Sequence, residues 1–247
     1  MRGLLKLTWL EIKIFVREPL GFVAAIGIPL AMFLLFGRSV GPTAARSPGG
    51  MKFLAQDLPL FISIFISINA ALSLVAVISI YREGGILKRL RATPLRPVVI
   101  LGAHVLVKLF FTGISLLIVA LAGRRLYPVP LQAHVAGFAL AVVVTTVTIL
   151  CMGFVIASMV GTARFAQLIG SAFFYPMLAV SGMFIPLASL PRPWALLGGV
   201  LPMSHAVALL RGAWVGTGWL ELMPHLGALG LTIAISLALT TRVFRWE

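Results

Sequence analysis

Few residues of this 247-residue chain have the types and spacing needed for catalysis or for metal binding. Its four histidines, at positions 104, 134, 205 and 225, include no two that are three or four residues apart. Cys151, the single cysteine, lies in an apolar run and has no second cysteine for a disulfide or a metal site. Ser115 is not part of a G-x-S-x-G nucleophile motif. These patterns argue against an enzyme or a metal centre formed by this chain alone.

The lysines do not form a nucleotide-binding loop. A Walker A loop holds phosphates and magnesium with a Gly-Lys pair followed by Ser or Thr. None of the five lysines, at positions 6, 13, 52, 88 and 108, has Gly before it or Ser or Thr after it. We therefore expect no ATPase site and no bound cofactor in this chain, and any ATP and magnesium would be held by a separate subunit.

The composition indicates that lipid surrounds most of the chain. Hydrophobic residues make up 60% of it and charged residues only 11%, against about 25% charged in a soluble domain. Twenty Lys and Arg face six Asp and Glu, giving a net charge of +14. The basic residues lie in short connections between apolar runs, which is the positive-inside pattern of membrane proteins and argues against a nucleic-acid partner.

Six apolar intervals are long enough to cross a bilayer, which takes about 20 residues. They cover residues 19–37, 58–81, 97–123, 131–160, 165–190 and 222–241. Glycines and prolines interrupt a further interval, 191–216, which predicts a re-entrant or interfacial helical hairpin and not a span. The chain is thus predicted to be an all-α integral membrane protein with one domain over residues 1–247. No Asp or Glu lies within a span, which disfavours an ion-coupled secondary transporter.

The distribution of basic residues predicts a multi-pass protein of the cell membrane with both termini in the cytoplasm. With the N-terminus inside, cytoplasmic segments hold twelve basic residues and outer segments seven. Residues 1–18 form a predicted interfacial helix, with its basic residues in one narrow sector and Glu11 and Glu18 nearly opposite. We expect the acidic side to pack on protein. A cleaved signal peptide is the less favoured interpretation of this segment, because both glutamates lie in its basic region.

The connection 82–96 is the most basic loop, with five Lys and Arg in fifteen positions. Gly84 and Gly85 can end the second span, and Pro94 stops any helix that follows. A two-turn helix between them would have an apolar side and a basic side. The apolar side is Ile86, Leu87 and Leu90, and the basic side is Lys88, Arg89 and Arg91. Such a helix could dock into a partner, or the loop could simply fix the membrane topology.

Two spans contain polar residues at helical spacing. In the second span these are Ser63, Ser67, Asn69 and Ser73, with Phe61 and Phe65 nearby; in the fifth they are Gln167, Ser171 and Tyr175, with Phe173 and Phe174 nearby. They either pack between helices or face a cavity. Lys108 in the third span also has two open roles. Its side chain extends to the headgroups, or it contacts an anion or forms a hinge to the connection 82–96.

Three segments carry a family resemblance. They are the amphipathic N-terminus, "YREGGILKRLRATPLRP" after the second span, and "SGMFIPLASLPRPWALLGGVLPMSHAVALLRG" after the fifth. Together they resemble the type-2 permease subunits of ATP-binding cassette exporters over nearly the whole chain. Glu83 to Pro94 is the most specific part, with its acidic residue, glycine pair, basic-leucine stretch and proline.

The resemblance implies six transmembrane helices with an N-terminal connecting helix, a cytoplasmic coupling helix and an extracellular re-entrant hairpin. It implies two copies of a nucleotide-binding ATPase subunit as partners, and a second permease copy, most simply as a homodimer. The docking residues it implies are Glu83, Gly84, Gly85, Ile86, Leu87, Arg89, Leu90 and Arg91. The residues it places along the pathway between the two copies are Phe65, Asn69, Ser73, Gln167, Ser171, Phe174 and Tyr175.

The expected function is efflux driven by the partner's ATP hydrolysis. Few charges and many Phe, Leu and Val residues along the presumed pathway favour an amphiphilic or lipid-soluble cargo, such as a drug-like or antibiotic molecule. Export of a polysaccharide or of a lipid-linked glycan is the alternative within the same family, and an ion-coupled secondary transporter is the alternative outside it. The sequence leaves the cargo's identity, the ATPase and the choice between homodimer and heterodimer open.

Overall fold

The computed structural model describes residues 2–44, 57–85, 97–126 and 134–243. Within these ranges the chain forms nine α-helices, one short 3-10 turn (Leu187–Ser189) and no strand. The helices are α1 (Arg2–Arg17), α2 (Pro19–Ala44), α3 (Leu58–Glu83), α4 (Pro97–Leu126), α5 (Val135–Met159), α6 (Ala163–Ala179), α7 (Arg192–Val200), α8 (Pro202–Val215) and α9 (Trp219–Val243). This confirms the predicted all-α membrane fold.

Four of the described helices, α3, α4, α5 and α9, are each long and apolar enough to cross a bilayer. Two bent pairs also meet this criterion if each pair counts as one span. One pair is α1 with α2, bent by 72°, and the other is α7 with α8, bent by 76°. The described residues therefore provide between four and six candidate spans, which agrees with a multi-pass membrane protein.

The predicted fifth span, 165–190, differs most from the structure. Helix α6 ends at Ala179 and has 17 residues, so it is about 25 Å long and shorter than the roughly 30 Å hydrocarbon core. The chain turns at Gly182, whose φ is +80°, and a Cβ there would lie 3.1 Å from Leu187. Gly182 thus lies in a tight turn three residues after the helix, where a side chain would be both strained and crowded, and hydropathy alone does not reveal this turn.

Helix α3 lies at the centre of the bundle. It is apolar all round, as expected of a helix that neighbours surround, and Ile64, Ile68 and Leu74 are fully buried in the main core with residues of α5, α6, α8 and α9. Small and hydroxylated residues bring α3 close to α5. The Oγ of Ser67 lies 2.9 Å from the Oγ1 of Thr146, which is the close packing typical of membrane helices.

Helix α1 packs along α4 and places Glu11 against protein. Phe15 contacts Phe111 of α4 at a ring separation of 4.5 Å, and Glu11 reaches the end of α3. Lys13 and Arg17, on the basic side, are exposed. Glu11 thus meets the expectation that the acidic side packs on protein, whereas Glu18, just after the helix, is exposed and does not meet it.

Candidate functional site

The glycine pair after α3 ends this helix. The N–H of Gly84 donates to the carbonyl of Ile80 at 2.9 Å, and the N–H of Gly85 donates to the carbonyl of Arg82 at 3.0 Å. Gly85 has a φ of +65°, in the left-handed region that glycine adopts without steric cost. The prediction that this pair terminates the second span is confirmed.

The predicted docking helix itself lies outside the described residues. Ile86, Leu87, Arg89, Leu90 and Arg91 all fall in the range 86–96, of which the structure describes nothing. Glu83, Gly84 and Gly85 are the docking candidates that it does describe. Their surroundings show how the end of α3 is connected to the rest of the bundle.

Glu83 caps another helix. Its Oε1 accepts a hydrogen bond of 2.7 Å from the backbone N–H of Ala163, the first residue of α6. The first N–H groups of a helix have no partner within that helix, and Thr162 at the N-cap makes no side-chain hydrogen bond to them. Glu83 therefore supplies from α3 the anionic acceptor that α6 lacks at its own N-terminus.

Arg82 holds the adjacent part of the same connection. Its Nη1 donates to the carbonyl of Val160 at 2.9 Å, and Val160 is the residue directly after α5. Two successive side chains at the end of α3 thus bond to the residue after α5 and to the first residue of α6. A displacement of the chain after Glu83 would act on both helices through these bonds.

A polar cluster links α1 to the same end of α3. The hydroxyl of Tyr81 donates to Glu11 at 3.1 Å, the other carboxylate oxygen lies 3.9 Å from Nδ1 of His104, and the rings of Tyr81 and His104 are 5.6 Å apart. Burial raises the pKa of Glu11 above its ordinary value, while the Tyr81 hydrogen bond and the charge of Lys108 act in the opposite direction. The cluster joins α1, α3 and α4.

Lys108 lies inside the bundle and does not extend toward the surface. Its side chain is 5% exposed, its Nζ donates to the Oγ of Ser73 at 2.7 Å, and Nζ lies 4.6 Å from the ring centre of Phe15. The amine thus has a hydrogen bond and an aromatic face to replace part of its lost hydration. The same contact commits the hydroxyl of Ser73, a predicted pathway residue, to the interface between α3 and α4.

Phe65 and the remaining polar residues of α3 divide by their surroundings. Phe65 and Asn69 are partly exposed, and Asn69 Nδ2 donates to the Phe65 carbonyl at 2.8 Å. Ser63 and Ser67 are fully buried, and Ser67 bonds across to α5. Ser67 therefore packs between helices and Ser63 bonds to the Pro59 carbonyl of its own helix, whereas Asn69 and Phe65 still reach the surface.

The candidates of α6 divide in the same way. Gln167 and Tyr175 are exposed and Ser171 is partly exposed, but Phe174 is fully buried in the main core. Gly170 allows α6 to approach α3 closely, since a Cβ there would lie 2.8 Å from Leu72. The three polar residues of α6 share an accessible side, and the ring of Phe174 is separated from them.

The fold also assembles contacts that no spacing in the sequence indicated. Nδ1 of His205 in α8 lies 3.0 Å from Nδ1 of His225 in α9, although the residues are 20 positions apart. Arg211 of α8 pairs with Asp57, just before α3, at 3.2 Å. Both pairs join α8 to other parts of the bundle, the first to α9 and the second to the start of α3.

Comparison with known proteins adds one match. The sequence model of the family described as ABC-2 type transporter matches residues 2–214, a range that runs from α1 almost to the end of α8. No curated protein matches the chain. The matched range includes the end of α3 with Glu83, the polar cluster around Glu11 and the polar residues of α6.

Proposed function

The chain belongs to the ABC-2 type transporter family, and on this premise we propose that it is the permease subunit of an ATP-driven exporter of an amphiphilic or lipid-soluble molecule. Membership of the family makes it a membrane component that works with an ATP-binding subunit. Outward transport, the two ATPase copies, the permease homodimer, the position of the pathway and the nature of the cargo are parts of the proposal.

The observation that carries the proposal is the set of contacts at the end of α3. Residues 86–91 follow it directly, and we assign them to the coupling helix that contacts the ATPase. Tyr81 bonds to α1, Arg82 to the residue after α5 and Glu83 to the start of α6. A push on the coupling helix would therefore reach three other helices through side chains that are consecutive in the sequence.

The proposed mechanism is a rigid movement of packed helices. ATP-driven closure of two partner subunits would displace residues 86–91 and, with them, the end of α3. Through the hydrogen bonds of Arg82 and Glu83, the connection between α5 and α6 would move together with the end of α3. The hydrogen bond of Lys108 to Ser73 would make α4 move together with α3. We place the pathway between two copies of the chain, along Asn69 of α3 and the accessible polar side of α6.

The proposed cargo follows from the chemistry of that side. Leu168 lies near Tyr175 on this side, and the exposed rings of Phe165 and Phe173 lie elsewhere on the surface of α6. A surface of this kind offers large apolar contacts and a few hydrogen bonds. It matches a molecule with an apolar body and few polar groups better than a long polar chain, which would lose hydration along it.

The test is to purify the chain with its associated ATPase from native membranes and to measure ATP hydrolysis and efflux in proteoliposomes. Leu90→Asp should abolish co-purification and efflux, because a carboxylate would replace an apolar docking contact. Leu95→Asp, in the same loop but outside the assigned docking residues, is the matched control and should retain both. Efflux that continues without any ATPase, or an unimpaired complex with Leu90→Asp, would refute the proposal.

A further inference from the structure

A cavity of about 490 Å³ lies within the single chain. Its walls come from the beginning of α3, the second half of α4 and the first half of α5, and Phe33 of α2 and Trp214 of α8 also border it. It lies near the start of α3, whereas Gly84 and Gly85 lie at the other end of this helix. None of the residues assigned to the pathway lines it.

We propose that this cavity binds an amphiphile that has an apolar body and one hydrogen-bonding group. The volume falls within the roughly 300 to 1,000 Å³ of small-molecule sites. Leu116, Val119, Phe138 and Val142 contribute apolar side chains to the wall. A cavity of this chemistry holds water poorly and gains free energy when an apolar group fills it.

The hydroxyl of Thr112 is the reason for expecting one hydrogen-bonding group on the ligand. Thr112 lines the cavity, the residue is 4% exposed, and its buried Oγ1 has no hydrogen-bond partner among the described residues. A buried hydroxyl without a partner is unfavourable, so a donor or acceptor on the ligand would satisfy it. Ser63, another polar residue of the wall, already donates to the carbonyl of Pro59 at 2.7 Å.

The entrance faces the side of the bundle. Leu117, Leu121, Val135 and Val143 both line the cavity and are exposed, so the opening between α4 and α5 is bordered by apolar side chains. Both helices are long and apolar enough to span the membrane. A ligand would therefore enter from the lipid phase, and both a membrane lipid and a dissolved amphiphile have the required chemistry.

The structure offers a substitution that fills the cavity. Gly113 lines it, and a Cβ at this position would meet no atom within 4 Å. Gly113→Leu should therefore occupy the space without displacing the backbone. Gly227→Leu in α9 is the matched control, because Gly227 has the same open surroundings and lies outside the cavity.

The experiment uses the full chain in detergent, without ATPase or nucleotide, and a long-chain alcohol that carries a photoreactive diazirine. We expect saturable labelling of peptides from the second half of α4 and the first half of α5. Gly113→Leu should remove this labelling and Gly227→Leu should retain it. Because no transport is measured, the result is independent of whether the protein exports its cargo.

A second pair of variants tests the polar contact. Thr112→Val should raise the half-saturating alcohol concentration by about five- to tenfold, the change expected for the loss of one hydrogen bond. Thr145→Val is the control, since Thr145 is also buried without a partner for its hydroxyl in the described structure but does not line the cavity. It should leave binding unchanged.

Competition then identifies the source of the ligand. Displacement of the probe by phosphatidylcholine would identify a lipid site, and displacement by unlabelled alcohol alone would identify a site for free amphiphiles. Labelling that does not saturate, or that persists at α4 and α5 in folded Gly113→Leu protein, would overturn the proposal. An equal effect of Thr112→Val and Thr145→Val would overturn the role of Thr112.

Discussion

The hydrogen bond from Ala163 to Glu83 makes a quantitative prediction about α6. Replacing Glu83 with alanine removes the acceptor that caps this helix, while the N-cap residue Thr162 makes no side-chain bond to replace it. If Glu83 is a cap, the effect must be present in the permease alone. If Glu83 only provides a charge for ATPase docking, the isolated permease should be unaffected.

The expected loss of stability follows from the effects measured for other helix caps. Loss of a side-chain cap costs about 1 kcal/mol, and the favourable charge at a helix N-terminus accounts for about 0.3 to 1 kcal/mol of such effects. Glu83→Ala should therefore lower the stability of the first turn of α6 by about 1 kcal/mol, which is about a fivefold change in its opening equilibrium. Glu83→Gln keeps an acceptor oxygen but not the charge and should lose less.

Hydrogen exchange of the amides at 163–167, measured by mass spectrometry, is the suitable assay because it reports on this turn directly. We expect exchange there to be about fivefold faster with Glu83→Ala, with a smaller increase for Glu83→Gln. Glu221→Ala is the matched control, since Glu221 is in the first turn of α9, and it should leave residues 163–167 unchanged. Unaltered exchange at 163–167 in Glu83→Ala would refute the capping role.

Three further predictions concern the stability of the permease alone. Gly85→Ala should cost about 1 to 2 kcal/mol because φ is +65°, while Gly84→Ala should be tolerated because φ is −76°. Tyr81→Phe should cost about 1 kcal/mol through its lost bond to Glu11, whereas Tyr175→Phe, exposed on α6, should cost little. The pKa of Glu11 is raised in the folded protein, so between about pH 4.5 and that raised pKa the folded state binds more protons than the unfolded state. The wild type should therefore lose stability as the pH rises through this range. Glu11→Gln should lack this part of the pH dependence.

Thermal unfolding in detergent checks all three predictions. Equal costs for the two glycine substitutions would contradict the backbone argument. A Tyr81→Phe protein as stable as the wild type would show that the contact with Glu11 contributes nothing. The same pH dependence in the wild type and in Glu11→Gln would assign the loss of stability to other groups.

Local patterns in the sequence were sufficient to predict the positions of most helices. The second and third predicted spans, 58–81 and 97–123, begin at the same residues as α3 and α4 and end within three residues of them. Charged residues cannot be left in the hydrocarbon core and therefore mark the ends of spans. Gly84 and Gly85 ended α3 as expected, because the freedom of glycine at a helix C-terminus is a property of the residue itself.

The partners of the polar residues could not be predicted in this way. Hydropathy has little periodicity in a helix that is apolar all round, so it does not show which side of α3 meets α4, α5 or α6. The bond of Ser73 to Lys108, the packing of Ser67 against Thr146 and the burial of Phe174 all depend on that choice. Hydropathy also did not reveal the early end of α6 or the turn at Gly182 that follows it.

The sequence by itself determined that the chain lies in a membrane and which segments are helical, because hydropathy, charge and glycine geometry act over a few neighbouring residues. The tertiary structure decided what those residues contact. Glu83 caps a helix that begins 80 positions later, and the cavity at Thr112 exists only because α3, α4 and α5 leave space between them. Packing between distant helices sets both features, and it is the sum of many weak contacts that no local pattern specifies.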